Sequence, residues 1–190
     1  MAELYENQRI QDFYTQAANR EFARDFNFRV ISITTGGAID AAGETISFDE
    51  SDLVYVKTAT LPERAITNVQ VPYMGLNFNL PGNAVYPGSE GYSLTFYADA
   101  NSQIRQKFED WSRYTFDDAN STGDYLTPKT SSVINLIQLN NKMESVAAYS
   151  LIGVSPRSVG ALTYSIAAGT GQTIEFTATM AYHYFTRTSP

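Results

Sequence analysis

Between Ser93 and Tyr114 the hydrophobic period of this chain switches once, from two to near 3.6, and that switch limits what the chain can become. Leu94 and Phe96 fall on one side of the first part, and Ser93, Thr95 and Tyr97 on the other. This is a strand with one buried face, because successive side chains in a strand point to opposite sides. Ile104, Phe108 and Trp111 then stand at i, i+4 and i+7, one stripe of a helix. Gln103, Gln106, Glu109, Asp110 and Arg113 occupy the rest of its surface. Asn101 or Ser102 is the expected cap, since a short polar side chain accepts from the free N–H groups of the first turn. A stripe so narrow cannot form a core alone. Ile104, Phe108 and Trp111 are expected to plug one side of a β-structure.

The rest of the chain supplies that β-structure. Phe26, Phe28 and Val30 alternate with polar neighbours as a strand, and Ile31 and Ile33 then shift parity, as a bulge would make them do. Gly36-Gly37 to Gly43 reads as a loop, and Asp49, Glu50 and Asp52 as an acidic turn. Leu53 to Ala59 and Ile66 to Val71 read as strands. Leu76, Phe78 and Leu80 alternate with Asn77 and Asn79, giving one apolar and one amide face. Pro81-Gly82 marks a turn, and Thr115 to Thr130 a long polar loop. Val133 to Leu139, Ser145 to Val154 and Ala161 to Ala167 follow as strands. Gln172 to Thr186 is the longest candidate, with Ile174, Phe176, Ala178, Met180, Tyr182 and Tyr184 on one face. About eight to ten strands and one good helix close into a barrel or a two-sheet sandwich. Residues 1–25 differ: Leu4, Ile10, Phe13, Tyr14, Ala17 and Phe22 fall loosely at helical spacing. They are expected to form an arm or weak helix that orders against a partner, before one domain over 26–190.

Composition and motifs remove most chemistry. Charged residues are 17% of the chain, below the usual ~25%. Such a surface is either deeply packed or covered by other copies, since interface cores are poor in charge and rich in aromatics. The net charge is −7 with Lys and Arg scattered, so no basic nucleic-acid face is expected. There is no cysteine, which excludes thiol catalysis, disulfides and Cys-type metal sites. The first residues lack a basic region followed by an apolar run, and no stretch approaches the ~20 apolar residues of a membrane span. A soluble protein with no membrane partner is the expectation. The one histidine, His183, stands on the polar side of the last strand without a nucleophile motif. Asp49, Glu50 and Asp52 lack the spacing of a calcium loop, and Asp117, Asp118 and Asp124 read as a solvated loop. No catalytic, metal or cofactor residue is therefore assigned, and the chain is expected not to be an enzyme. Structural and binding roles remain, among them a monomeric barrel that binds a small ligand, or an acidic-loop enzyme that would depend on Asp117 or Asp118.

Several motifs point further. They are Lys57-Thr-Ala-Thr-Leu61-Pro62, then Val71 and Met74 in V-P-Y-M-G, then Arg105-Gln-Lys-Phe108 with Asp110-Trp111. Pro156-x-x-Val159-Gly160-x-Leu162 and Ile174-Glu175-Phe-Thr follow. In this order and spacing they resemble the tail tube proteins of contractile-tailed, T-even-like bacteriophages, over about Phe26 to the C-terminus. The resemblance implies two packed antiparallel sheets with a flanking helix. It also implies a homo-hexamer whose rings stack into a tube in a virion tail assembled in the host cytoplasm. The implied partners are the tail sheath, baseplate or tube-initiator proteins, and a tape measure protein in the lumen, through which DNA passes without specific binding. A baseplate initiator, or a type VI secretion or tailocin tube subunit, shares the fold and is the nearest alternative. The motif residues take structural or inter-subunit roles, with stacking contacts expected from the arm or from Gly36–Asp52 and Thr115–Thr130. Glu175 is the candidate lumen-facing acid, beside the plainer alternative of a solvated strand face.

Overall fold

The computed structural model describes residues 10–19, 21–123, 131–167, 169 and 171–189. A short helix α1 (Ile10–Asn19) precedes β1 (Phe28–Ile39), β2 (Thr45–Ser47), a one-turn α2 (Glu50–Leu53) and β3 (Val56–Ala59). Next come β4 (Ala65–Tyr73), β5 (Leu76–Val85), β6 (Tyr92–Tyr97) and the helix α3 (Gln103–Thr115). A small pair, β7 (Phe116–Asp117) and β8 (Thr122–Gly123), leads to β9 (Ser132–Leu139) and β10 (Ser145–Ile152). The chain ends with β11 (Ser155–Val159), β12 (Glu175–Ala181) and β13 (Tyr184–Thr188).

Two antiparallel sheets form the body. One has the order β13-β10-β9-β1-β2, the other β11-β12-β6-β3. Of barrel and sandwich, the chain takes the open sandwich. Its core follows the expected alternation. Val30, Ile33, Ile134, Leu136 and Leu151 face inward from the first sheet; Leu94, Phe96, Phe176, Ala178 and Met180 face them from the second. Each large apolar side chain removed from water contributes about 1.5–3 kcal/mol.

The two sheets are joined at a corner that the sequence pattern does not reveal. The stretch Gln172–Thr186 is not one strand. β12 pairs in the second sheet and β13 in the first, and the break falls at Tyr182-His183. The opposite ribbon, β10 and β11, changes sheets at the same level, and the His183 N–H donates to the Ile152 carbonyl at 2.9 Å across the bend. Gly153 has φ +72°, and a Cβ there would run into the His183 ring. Glycine is what allows the two strands to turn together. The only histidine therefore stands at the corner between the two sheets.

Helix α3 closes one side of the sandwich with the expected stripe, Ile104, Phe108 and Trp111, all buried. Its cap is not the expected one. Ser102 adopts φ +54° with no side-chain bond, and the Asp99 carboxylate accepts from the Gln103 N–H at 2.8 Å and the Ile104 N–H at 3.3 Å instead. A carboxylate satisfies these donors and opposes the positive end of the helix dipole. Lys107 ties α3 to the turn before β3: its ammonium reaches the nearly buried Asp52 carboxylate at 2.6 Å, which also accepts from the Asp49 N–H.

Other expectations are corrected. The Gly36-Gly37 loop is part of β1, which runs through it with a register irregularity against β2. The segment beyond it is built into the body, with Ala38, Ile46, Phe48 and Leu53 buried. Leu53 belongs to α2, so the expected strand begins at Val56. Pro81-Gly82 lies inside β5 rather than at its end. Residues 161–165 form no ladder, although Ala161 to Ala167 alternates. The Thr115–Thr130 loop opens with the β7–β8 pair; Asp124 and Pro128 lie outside the described residues, as does Leu4 of the arm.

Candidate assembly surface

The feature that sets this molecule apart from a self-contained sandwich is the β4–β5 hairpin. The two strands pair only with each other, and every residue from 66 to 81 is exposed. Its register puts Val69 opposite Leu80, Val71 opposite Phe78 and Tyr73 opposite Leu76. These three pairs alternate with Gln70–Asn79 and Pro72–Asn77. One face of the ribbon is thus wholly apolar and the other mostly amide, since side chains two apart share a face. No charged residue occurs from 65 to 85. An isolated hairpin is marginal in water, and a projecting apolar face of this kind marks a contact surface.

Its tip has the same character. Met74 and Gly75 form a two-residue connection with φ +49° and +81°, the pattern of a type I′ turn. A methionine in the left-handed region costs about 1–2 kcal/mol relative to its ordinary backbone. The β4–β5 ladder that the turn closes offsets that cost, and the Met74 side chain is 87% exposed.

The other motif residues separate into two groups. Arg105, Phe108 and Trp111 stand on α3, Pro156 and Val159 on β11 and Gly160 just after it, and α3 packs on β11. The Arg105 Nε donates to the Gly160 carbonyl at 3.2 Å, and the guanidinium pairs with Glu109. Pro156 stands opposite Met180 and Val159 opposite Ala178. A Cβ on Gly160 would lie 2.9 Å from the Thr177 carbonyl, which receives the Gly160 N–H at 2.8 Å. Gly160→Ala should therefore cost about 1–3 kcal/mol by overpacking. Chemical denaturation would measure this, and an unchanged midpoint would remove the packing explanation.

Lys57 and Glu175 form the second group. Their ion pair spans β3 and β12 at 2.5 Å, with the ammonium 5.6 Å from the centre of the Tyr97 ring. The bond to Glu175 holds the Lys57 ammonium above the ordinary lysine range. Glu175 thus brings a matched charge rather than a free one. Nearby in the core, burial pushes the Tyr92 hydroxyl up, and that hydroxyl donates to the Thr60 carbonyl at 2.9 Å. Leu61 and Pro62 follow β3 in a loop, Leu61 exposed and Pro62 half-buried.

A family model described as phage tail tube protein matches residues 17–188. The chain belongs to this family. The match begins inside α1 and ends with β13, so it takes in the sandwich, α3 and the hairpin. Solved structures agree in fold. The chain is similar to a protein in the anti-feeding prophage tube-terminating cap, at 11% identity and a TM-score of 0.58, covering 90% of this chain and 93% of that one. A chain of the six-fold symmetrised anti-feeding prophage baseplate gives 14% identity and 0.54, over 88% and 96%. One in the sheath–tube complex of an extracellular contractile injection system gives 14% and 0.50, over 93% and 97%. No curated protein sequence matches significantly. Tail tube subunits are structural proteins. Of the hairpin's residues Val71 and Met74 stood out in the sequence, as motif residues. The alternation of Leu76, Phe78 and Leu80 was visible, but nothing local said that their apolar face would be left uncovered.

Proposed function

We propose that this chain forms the wall of a contractile tail tube, with six copies closing a ring and rings stacking into a hollow cylinder. In this proposal the lumen holds a tape measure protein and then passes DNA, the sheath binds outside, and a baseplate starts the stack. The observation that carries it is the hairpin: a projecting ribbon with one apolar face and no charge is suited to another copy of the same chain, not to solvent. A ring is a heterologous closed assembly, in which one patch meets a different patch on the next subunit. Open edges at β2, β13, β11 and β3 also need neighbours, because unpaired strands invite uncontrolled association. A monomeric ligand-binding barrel would have no use for such a ribbon.

The arm, residues 1–25, is proposed to lie outside the sandwich domain and to order on a neighbour. Ile10, Phe13 and Tyr14 of α1 are exposed, and Phe13 stacks on Phe22, which Asn141 holds through its backbone carbonyl. An acidic or neutral wall is what DNA passage needs, since a basic one would hold phosphates. The net charge of −7 supports that, and the Lys57–Glu175 pair adds nothing positive.

Negative-stain electron microscopy of the purified protein, with its mass in solution, tests the proposal. Stacked rings with a central hole are expected. A protein that stays monomeric at high concentration, even with a matching baseplate added, would rule the tube out.

A further inference from the structure

The two sheets turn different surfaces outward. On the first, half-buried Val133 and Ile152 stand opposite each other, and Ile137 stands between Arg29 and Ala148. The second presents hydroxyls instead. Its outward rows run Ser158–Thr179–Ser93, then Thr177–Thr95–Thr58, then Glu175–Tyr97. None of these residues is buried, while Leu94, Phe96, Phe176, Ala178 and Met180 between them fill the core. In the middle row the Thr95 and Thr177 hydroxyls bond to each other at 3.2 Å.

Positive charge on this sheet is cancelled where it arises. Its four strands hold two bases, Lys57 on β3 and Arg157 on β11. The Arg157 guanidinium lies 3.6 Å from the Glu90 carboxylate and also donates to the Glu90 carbonyl. Lys57 is matched from further away. β3 and β12 flank β6 on opposite sides, so the Lys57 ammonium crosses β6 beside the Tyr97 ring to reach the Glu175 carboxylate on β12. An ion pair this exposed contributes little to folding. Its effect falls on the charge of the face: without Glu175, the rows of hydroxyls would carry a free cation.

We propose that Glu175 keeps the tube from holding DNA, by cancelling the Lys57 ammonium on a hydroxyl face of the second sheet that lines the bore. This rests on the tube reading above and names the surface and the residue through which passage works. An unmatched ammonium repeated by every copy around and along a bore would be a series of phosphate sites, and attraction grows steeply with the number of phosphates engaged at once. Hydroxyls and a matched pair offer a polyanion no net charge, so a passing strand meets no site at which to stop. The first sheet is the poorer wall, because Val133, Ile137 and Ile152 favour a covering protein and Arg29 is exposed among them.

Assembled tubes are mixed with a labelled single-stranded DNA oligonucleotide, which can enter an open bore, or with a closed circular plasmid, which cannot, and are then sedimented. Wild-type tubes should leave both in solution. Glu175→Gln tubes should carry down the oligonucleotide but not the plasmid, with affinity falling about a thousandfold as salt rises from roughly 50 to 200 mM. Adding Lys57→Gln to Glu175→Gln should abolish that uptake, since the face is neutral again. Thr177→Lys adds a cation to the middle row and leaves the pair alone; it should take up the oligonucleotide as well, and it decides the matter if Glu175→Gln prevents assembly. Tubes of either variant that leave the oligonucleotide in solution would overturn the proposal while the tube reading stands. So would binding of the plasmid, uptake by wild-type tubes, or equal uptake with and without Lys57. If wild-type chains form no tubes even with a matching baseplate, the tube reading fails first and the wall falls with it.

Discussion

Replacing Val71 and Phe78 together by aspartate will leave the subunit folded and abolish its assembly. The two residues face each other at the centre of the apolar ribbon, and both are exposed in the single chain. Surface substitutions away from special features change stability by about 0.5 kcal/mol or less, and like charges opposite each other in a ladder add about 0.2–1 kcal/mol. The melting curve of the body should hardly move, because β4 and β5 pair with no strand of the sandwich. Assembly is different. Desolvating a carboxylate without a partner costs several kcal/mol per ion, so two of them weaken a contact by more than about a thousandfold. Sedimentation and electron microscopy read that loss, and circular dichroism confirms the fold. The matched control places aspartates at Gln70 and Asn79, which face each other on the amide side. That variant should assemble far better. Normal assembly of the Val71/Phe78 variant, or equal failure of both, would remove the apolar face from the interface.

The contrast between ribbon and body shows what could be read from the sequence. Where a strand has one buried face, its pattern was sufficient. Leu94 and Phe96, Phe176, Ala178 and Met180, and the helical stripe of Ile104, Phe108 and Trp111 are all buried as their spacing implies. Period two says which side of a strand is apolar, but not which sheet the strand belongs to. The alternation therefore runs on through Tyr182 and Tyr184, although β12 ends at Ala181 and the corner at Gly153 and His183 puts Tyr184 in the other sheet. Residues 161–165 show the converse: they alternate, but no neighbour offers them a ladder. The Asp99 cap was hidden because it acts from outside the positions where a cap is sought. The hairpin was half legible. Its apolar and amide faces stand in the sequence, whereas exposure of the apolar face is a property of the whole chain. Among the family motif residues, Arg105 bonds to Gly160 beside β11, and Phe108 and Trp111 are buried beneath α3.

The second large effect lies in that junction. Phe108→Ala should destabilise the subunit by about 3–5 kcal/mol, the cost of deleting a buried aromatic and leaving its cavity. Phe108 is fully buried, and its ring lies 4.7 Å from Phe48, 5.3 Å from Phe96 and 6.3 Å from both Phe176 and Trp111. Phe48 follows β2 on one side, while Phe96 and Phe176 belong to β6 and β12 on the other, so this one side chain joins α3 to both layers. The cavity cannot collapse without moving four rings. Trp111→Ala removes a larger side chain from the end of the cluster and is expected in the same range. For a chain of this size the melting temperature should fall by about 6–20 °C, whereas Phe108→Leu, which keeps most of the volume, should cost less than about 1.5 kcal/mol. A midpoint unchanged by Phe108→Ala would show that α3 does not hold the layers together. The two large effects differ in temperature dependence. Below its lowered melting point the Phe108 variant still presents an intact hairpin and should assemble. The Val71/Phe78 variant should fail at every temperature, because what it lacks is the contact and not the fold.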